Sequence, residues 1–439
     1  MAEIAFVGAG SIVFAKNLMV DIFSFEALQD STVRLMDIDE RRLDRTAAAG
    51  EALVAEHDLP GEVRATTDRR EALDGADYVF NMVNVGGEEP FENEIRIPEE
   101  YGVEQAVGDT LGPGGVFRML RTAPTVLDIA RDMEELCPDA LLVNYTNPMA
   151  MLCWAVDEAT DVEVVGLCHS VQHTTSTLAR YLDVPAEELS HWVAGINHMA
   201  WYLELEREGE DCYPALREAM ADPDIYEQDP VRFDVMDHFG AFVTESSHHL
   251  SEYLPYFRTD PDVIESYTPD EEVGDYTVEW MPTGRYLEHW RSYQPDLSAE
   301  FDPAEADLSL DRSSEYGSRV VHSVETGERR RMNLNVRNDT GAVANLPAAS
   351  CVEVPCLVDG TGIRPCSVGD LPAQLAALNR SNVAVQEQAV EAVLERSEDA
   401  LRRAVKLDPL TAAALDLETA DEMVDDLLDA NAAYLPALD

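Results

Sequence analysis

The stretch EIAFVGAGSIVFAKNLMVDIF, residues 3–23, reads as a buried strand, a glycine turn and a helix in succession. Gly8 and Gly10 permit the tight turn and let backbone N–H groups beside Ser11 approach a pyrophosphate at the helix start. Val13 occupies the place of the third glycine of a dinucleotide fingerprint, so taken alone the stretch fits a plain strand–turn–helix equally well. Asp37 tips the balance. It ends the next strand, STVRLMD (31–37), where a carboxylate accepts hydrogen bonds from ribose hydroxyls and repels the extra phosphate of NADP. NAD is the expected cofactor, with Asn84 as a further candidate contact.

Working outward, strand patterns (VRATTD, ADYVFNMVNVG, ALLVNYTNP, VEVVGLCHS) alternate with helical ones over about 170 residues. Such alternation predicts an α/β fold with a Rossmann-type, doubly wound parallel sheet. The expected division is a nucleotide-binding domain over 1–170 and a C-terminal α+β domain over 171–439. In the latter, HWVAGINHMAWYLELEREGEDCYP (191–214) has antiparallel-strand character, 230–257 is rich in aromatics and histidines, and 368–434 is strongly helical. A site between the two halves is expected.

The charge balance is extreme: 86 acidic against 31 basic residues, a formal net charge of −55, with Lys16 and Lys406 the only lysines. The acids are dispersed through patterned segments, which fits a solvated acidic surface and not an acidic tail. Self-repulsion of this size destabilises a compact state unless screened, and at about 1 M salt the Debye length is only ~3 Å. The expectation is a haloarchaeal-type protein that works in concentrated salt. The same charge argues against nucleic acid and anionic membranes as partners. Seven cysteines in no framework spacing suggest reduced thiols. With no leader pattern and no apolar run of about 20 residues, a cytoplasmic protein is expected.

Two words carry the chemistry. GLCHSVQ holds Cys168 and His169, and GINHMAWYLEL follows with His198. Thiolate and imidazole suit a divalent transition metal, and the carboxyl end of a strand is where an open α/β sheet binds ligands. Singly, Cys168 fits a core cysteine and His198 a structural histidine. Together with His169, Asn147 and the glycine-rich GDTLGPGG (108–115), they point to a metal site. The segment HFGAFVTESSHHLSEYLPYF (238–257) adds Tyr253 and the carboxylates Glu245 and Glu252. Its adjacent His248 and His249 diverge by about 100° in a helix, so the pair does not readily share one ion. Most of this segment is expected to be aromatic core.

The words FVGAGSIVFAKNL, NMVNVGG, VGDTLGPGGVFR, VNYTNPMAM, GLCHSVQ, GINHMAW, VTESSHHLSEYLPYF, NLPAASCVEVP and LDPL span residues 6–410. Together they resemble the family 4 glycoside hydrolases, in particular the α-galactosidase (melibiase-like) and α-glucosidase branch. The resemblance implies a lactate/malate dehydrogenase-like fold, NAD⁺, a divalent metal (manganese in most relatives) and a small α-glycoside as substrate. A homo-oligomer, dimer or tetramer, is also expected, with the helical C-terminal region as its interface. The metal ligands fall on Cys168 and His198, and substrate contacts on Asn147 and Arg118. The base falls on Tyr253, with Asp109 as competitor. His169 stands where relatives acting on 6-phosphorylated glucosides carry an acid aspartate, which suggests an unphosphorylated substrate and His169 as the acid.

The implied chemistry stands outside the two-carboxylate scheme. Oxidation at sugar carbon 3 acidifies the proton on carbon 2, the metal polarises the ketone, and Tyr253, made more acidic by the cation, removes that proton. The glycosidic oxygen leaves, water adds, and the hydride returns. α-Glucosidase or uronidase activity within the same family is the alternative. Beyond the family stands a plain NAD-dependent hydroxy-acid dehydrogenase, which has no need of the Cys/His pair and would accumulate NADH. A non-catalytic NAD-binding protein would need neither the pair nor a base.

Overall fold

The computed structural model describes residues 1–269, 281–292 and 308–439, and one twelve-stranded mixed sheet runs through them. Its first half is parallel: β1 (Glu3–Val7), β2 (Thr32–Met36), β3 (Glu62–Thr66), β4 (Tyr78–Asn81), β5 (Leu141–Asn144) and β6 (Val164–Gly166), in the order 3-2-1-4-5-6. That is the dinucleotide-binding order, whose ligand crevice lies at the carboxyl ends beside β1 and β4. Strands β1, β4 and β5 are almost entirely buried, as expected where helices cover both faces.

The second half continues the same sheet in antiparallel fashion. In it lie β7 (Leu189–Ile196), β8 (Met199–Arg207), β9 (Glu210–Asp211), β10 (Arg330–Arg337), β11 (Cys351–Asp359) and β12 (Gly362–Pro365). Asn335 of β10 pairs with Gly166 of β6, and Glu353 of β11 with Gly195 of β7. The predicted antiparallel stretch at 191–214 is the β7–β8–β9 meander. The tail predicted to be helical contains the helices Ala373–Leu394, Glu398–Leu407 and Leu417–Ala430.

Local structure differs from the sequence reading in one place. VEVVGLCHS is a strand only to Gly166, and His169 is already the N-cap of the helix Ser170–Tyr181. Cys168 therefore sits in the turn, free of ladder bonds. The segment 230–257 is two helices, Pro230–Phe239 and Ser247–Tyr253, joined by a loop that β8 holds through Tyr202 N–H to Phe242 O and Thr244 N–H to Ala200 O.

Candidate functional site

The nucleotide turn has the shape a pyrophosphate requires. Gly8 has φ +92°, and a Cβ there would lie 2.7 Å from the Met82 carbonyl carbon and oxygen. A Cβ on Gly10 would lie 2.6 Å from Asp37 Oδ2, which accepts the Gly10 N–H at 2.7 Å. Ser11, the N-cap of the helix Ile12–Phe23, makes no side-chain cap, which leaves the helix start open to an anion. Ile38, next to Asp37, is 89% exposed. The residues present fit NAD.

From this turn a cavity of about 360 Å³ leads to Cys168 and His198. Its wall carries Ser11, Asn84, Asp109, Arg118, Asn147, His169 and Glu245. The Cys168, His198 and Glu245 donor atoms all lie within 4.8 Å of one another, a soft/borderline/hard set suited to a divalent transition metal. His198 has φ +62° and Glu245 φ +77°, a conformation disfavoured for side-chain-bearing residues and found at ligand clamps. The buried Arg232 fixes the second of these by donating to Glu245 O at 2.7 Å, while Asp229 holds its guanidinium. Sequence reading had named Glu245 only as one carboxylate among others.

Charge in this corner is strongly perturbed. Burial, reinforced by Glu245 and Glu353, pushes the Cys168 thiol well above its usual range, so a cation must displace its proton on binding. Burial opposes the charge on Glu245, yet His198, His249 and His248 bring its pKa down to about 2. Burial likewise opposes ionisation of Asp109, but His249, Arg118 and His198 hold it well below the carboxylate range. Such a carboxylate is a weak proton acceptor, and Asp109 already accepts from Thr110 Oγ1 at 2.7 Å and Asn147 Nδ2 at 3.0 Å.

Tyr253 is fully buried with its Oη 3.1 Å from His198 Nδ1. Burial, with Glu252, Asp109 and Glu245, pushes its phenol well above the usual value. The protein alone thus disfavours the phenolate, the opposite of what a nearby cation would do. Glu252 turns away from the cavity and accepts backbone N–H groups from Val107 and Gly108, locking the GDTLGPGG loop. His249, expected to be core, lines the cavity with Nδ1 3.3 Å from Glu245 Oε1.

Asn147 Oδ1 is buried with no protein partner, so a polar acceptor waits in the cavity wall. Arg118 donates to Asn147 O at 3.3 Å. The segment after residue 308 supplies two residues that sequence reasoning missed. Glu315 Oε2 lies 2.6 Å from His169 Nε2. Tyr316 Oη accepts from Cys168 N–H at 2.9 Å and donates to Cys168 O at 2.8 Å. Their only signal was the separate word SSEYG, with no chemistry attached.

A nucleotide crevice opening onto a Cys/His/Glu cluster defines a cofactor-assisted enzyme class. The sequence models of the family 4 glycosyl hydrolases and of their C-terminal domain match residues 3–184 and 193–411. The chain is 42% identical to an α-galactosidase of Bacillus subtilis over 99% of both chains. It is 39% identical to an α-galactosidase of Rhizobium meliloti over 99% of this chain and 89% of that one. The Thermotoga maritima 6-phospho-β-glucosidase structure with manganese, NAD⁺ and glucose-6-phosphate superimposes with a TM-score of 0.79 at 23% identity, over 99% and 100% of the two chains. This chain belongs to family 4 of the glycosyl hydrolases. Among the described residues no helix is long and apolar enough to cross a membrane.

Proposed function

We propose that the chain is an NAD- and divalent-metal-dependent α-galactosidase of the cytoplasm of an organism living in concentrated salt. The observation that carries the reading is the joint placement of the Cys168/His198/Glu245 cluster and the nucleotide turn around one cavity. The names of the two relatives support the substrate class. When bound there, NAD⁺ would take a hydride from sugar carbon 3, and a divalent cation, manganese in the Thermotoga maritima structure, would polarise the resulting ketone.

Gly8, Gly10, Ser11, Asp37 and Asn84 hold the cofactor; Cys168, His198 and Glu245 hold the cation. Asn147 and Arg118 orient the sugar, with the unpartnered Asn147 Oδ1 accepting from a hydroxyl. Tyr253 removes the proton from carbon 2, and the low pKa of Asp109 makes it the poorer base. His169 delivers a proton to the departing oxygen. The nucleotide half spans residues 1–170, and the rest of the chain supplies His198, Glu245 and Tyr253.

The test is hydrolysis of α-galactosides in D₂O with manganese, NAD⁺ and thiol in molar potassium chloride, with α-glucosides and α-galacturonides as comparison arms. Deuterium at carbon 2 of released galactose, with no net NADH, is expected. Full-rate hydrolysis by NAD-free enzyme without deuterium at carbon 2 would refute the route. Preference for a galacturonide would refute the substrate.

A further inference from the structure

Glu315 is a carboxylate far from every motif that suggested a site, and it is 8% exposed. It precedes the helix Gly317–Thr326, in a segment tied down on both sides. On one side Ser313 donates to Asp21 through its backbone N–H at 2.7 Å and its hydroxyl at 2.6 Å, and the Glu315 N–H donates to Ser313 Oγ at 3.0 Å. On the other, Tyr316 is hydrogen-bonded to both backbone groups of Cys168, and Gly317 N–H donates to Tyr145 Oη at 3.1 Å. The Glu315 carboxylate is therefore delivered to one place, where Oε2 meets His169 Nε2 at 2.6 Å.

That contact constrains the imidazole. His169 Nε2 and Glu315 Oε2 are both buried from solvent and neither makes a hydrogen bond elsewhere in the protein, so their 2.6 Å approach is a contact of paired groups and not an aligned hydrogen bond. The His169 side chain is still 25% exposed and forms part of the cavity wall. With Nε2 turned toward the carboxylate, Nδ1 is the nitrogen left to meet substrate. The ring is held on its faces as well, by His173 at 5.4 Å and Tyr145 at 6.3 Å between centroids.

We propose that Glu315 is a positioning residue that orients His169 so that Nδ1 faces the glycosidic oxygen, in the manner of a carboxylate that orients a catalytic histidine. The inference rests on the reading of His169 as proton donor. In the step served, the electron pair left on carbon 2 forms the C1=C2 bond and the C1–O bond breaks. The departing oxygen takes the Nδ1 proton, and the ring is left neutral with Nε2–H still on Glu315.

The experiment compares Glu315→Ala, Glu315→Gln, His169→Ala and the Glu315→Ala/His169→Ala double variant of the full chain, at saturating NAD⁺ and manganese in molar potassium chloride. Two substrates are used: melibiose, whose alkoxide leaving group needs a proton, and p-nitrophenyl α-galactoside, whose phenolate needs little help. Glu315→Ala is expected to lower kcat on melibiose by about 10²-fold, with KM little changed and a much smaller loss on the nitrophenyl substrate. Glu315→Gln should recover much of the rate, because its carbonyl oxygen still accepts from Nε2–H. The double variant should be no worse than His169→Ala.

Equal losses on both substrates, no recovery by glutamine, or additive losses would overturn the proposal. If His169→Ala discriminates between leaving groups and Glu315→Ala does not, only the role of Glu315 falls. If His169→Ala itself fails to discriminate, the acid assignment falls and takes the role of Glu315 with it. NAD⁺ and manganese titrations of each variant, which the proposal expects to be unchanged, separate positioning from damage to the fold.

Discussion

Tyr253 Oη and His198 Nδ1 are 3.1 Å apart, so the proposed base and a proposed metal ligand share one hydrogen bond. If His198 held a cation through its other ring nitrogen, Nδ1 would carry the proton and donate to Tyr253 Oη. That donor favours the phenolate and opposes the burial and carboxylates that keep Tyr253 protonated.

Tyr253→Phe should lower kcat on α-galactosides by roughly 10²-fold or more, and exchange at carbon 2 in D₂O should fall in parallel. The measurement needs saturating manganese, because loss of such an outer hydrogen bond commonly weakens metal affinity by about 10–100-fold. A variant that exchanges carbon 2 at the parental rate would remove tyrosine from the role.

Cys168→Ser, His198→Ala and Glu245→Gln should each weaken manganese binding, read by equilibrium dialysis, and leave NAD⁺ affinity close to parental. The donor cluster and the Gly8–Asp37 turn are built from different elements, which is why the two affinities should separate. Parental manganese affinity in Glu245→Gln would reduce the protein's ligand set to two.

Gly8→Ala should abolish NAD⁺ binding and lower the melting temperature, because its Cβ would strike the Met82 carbonyl. Gly75→Ala is the control. Gly75 also has positive φ, +69°, but a Cβ there meets nothing within 4 Å. It should incur only the left-handed conformational cost, about 1–2 kcal/mol, with cofactor binding intact. Similar behaviour of the two variants would mean that conformation, not contact, makes Gly8 necessary.

The nucleotide half was legible because each of its parts is local: the strand entering Gly8, the glycine turn and Asp37 lie within 40 residues. The words around Cys168, His198 and Tyr253 pointed to residues that the fold brings together. Glu315 and Tyr316 were not legible, because their partners His169 and Cys168 are almost 150 residues away in sequence and the fold alone brings the two segments together. Which of Glu245 and Glu252 faces the cavity was hidden for a different reason. Both are carboxylates in one aromatic segment, and the turn at Glu245, φ +77°, aims one at Cys168 and His198 while the other lies beneath the Val107–Gly108 backbone.

Stability and activity should require concentrated salt. With 86 acids against 31 bases, lowering the salt restores long-range repulsion, and the Debye length grows from ~3 Å at 1 M to ~10 Å at 0.1 M. The melting temperature should fall steeply between molar potassium chloride and dilute buffer. An unchanged melting temperature and full activity in about 50 mM buffer, where that length is longer still, would contradict this.

Asp408, in the LDPL word, gives a pH-dependent test of a buried charge. It is fully buried and caps the helix Pro409–Ala414, accepting from Thr411 N–H and Oγ1, each at 2.8 Å. Burial outweighs these bonds and raises its pKa from 3.8 to about 6. A raised folded-state pKa means that the folded protein holds this proton more tightly than the unfolded chain. The associated stabilisation is complete below the unfolded value and is lost as pH climbs through about 6. Two pKa units correspond to roughly 3 kcal/mol. Asp408→Asn keeps an oxygen that can cap the helix and removes the ionisation. Measured in molar salt, the melting temperature of Asp408→Asn relative to the parent should be close to zero or slightly negative near pH 4. It should rise between about pH 4 and pH 6 and level off above about pH 7. A difference that stays flat across this range would show that Asp408 does not change its charge between pH 4 and 8 in the folded protein.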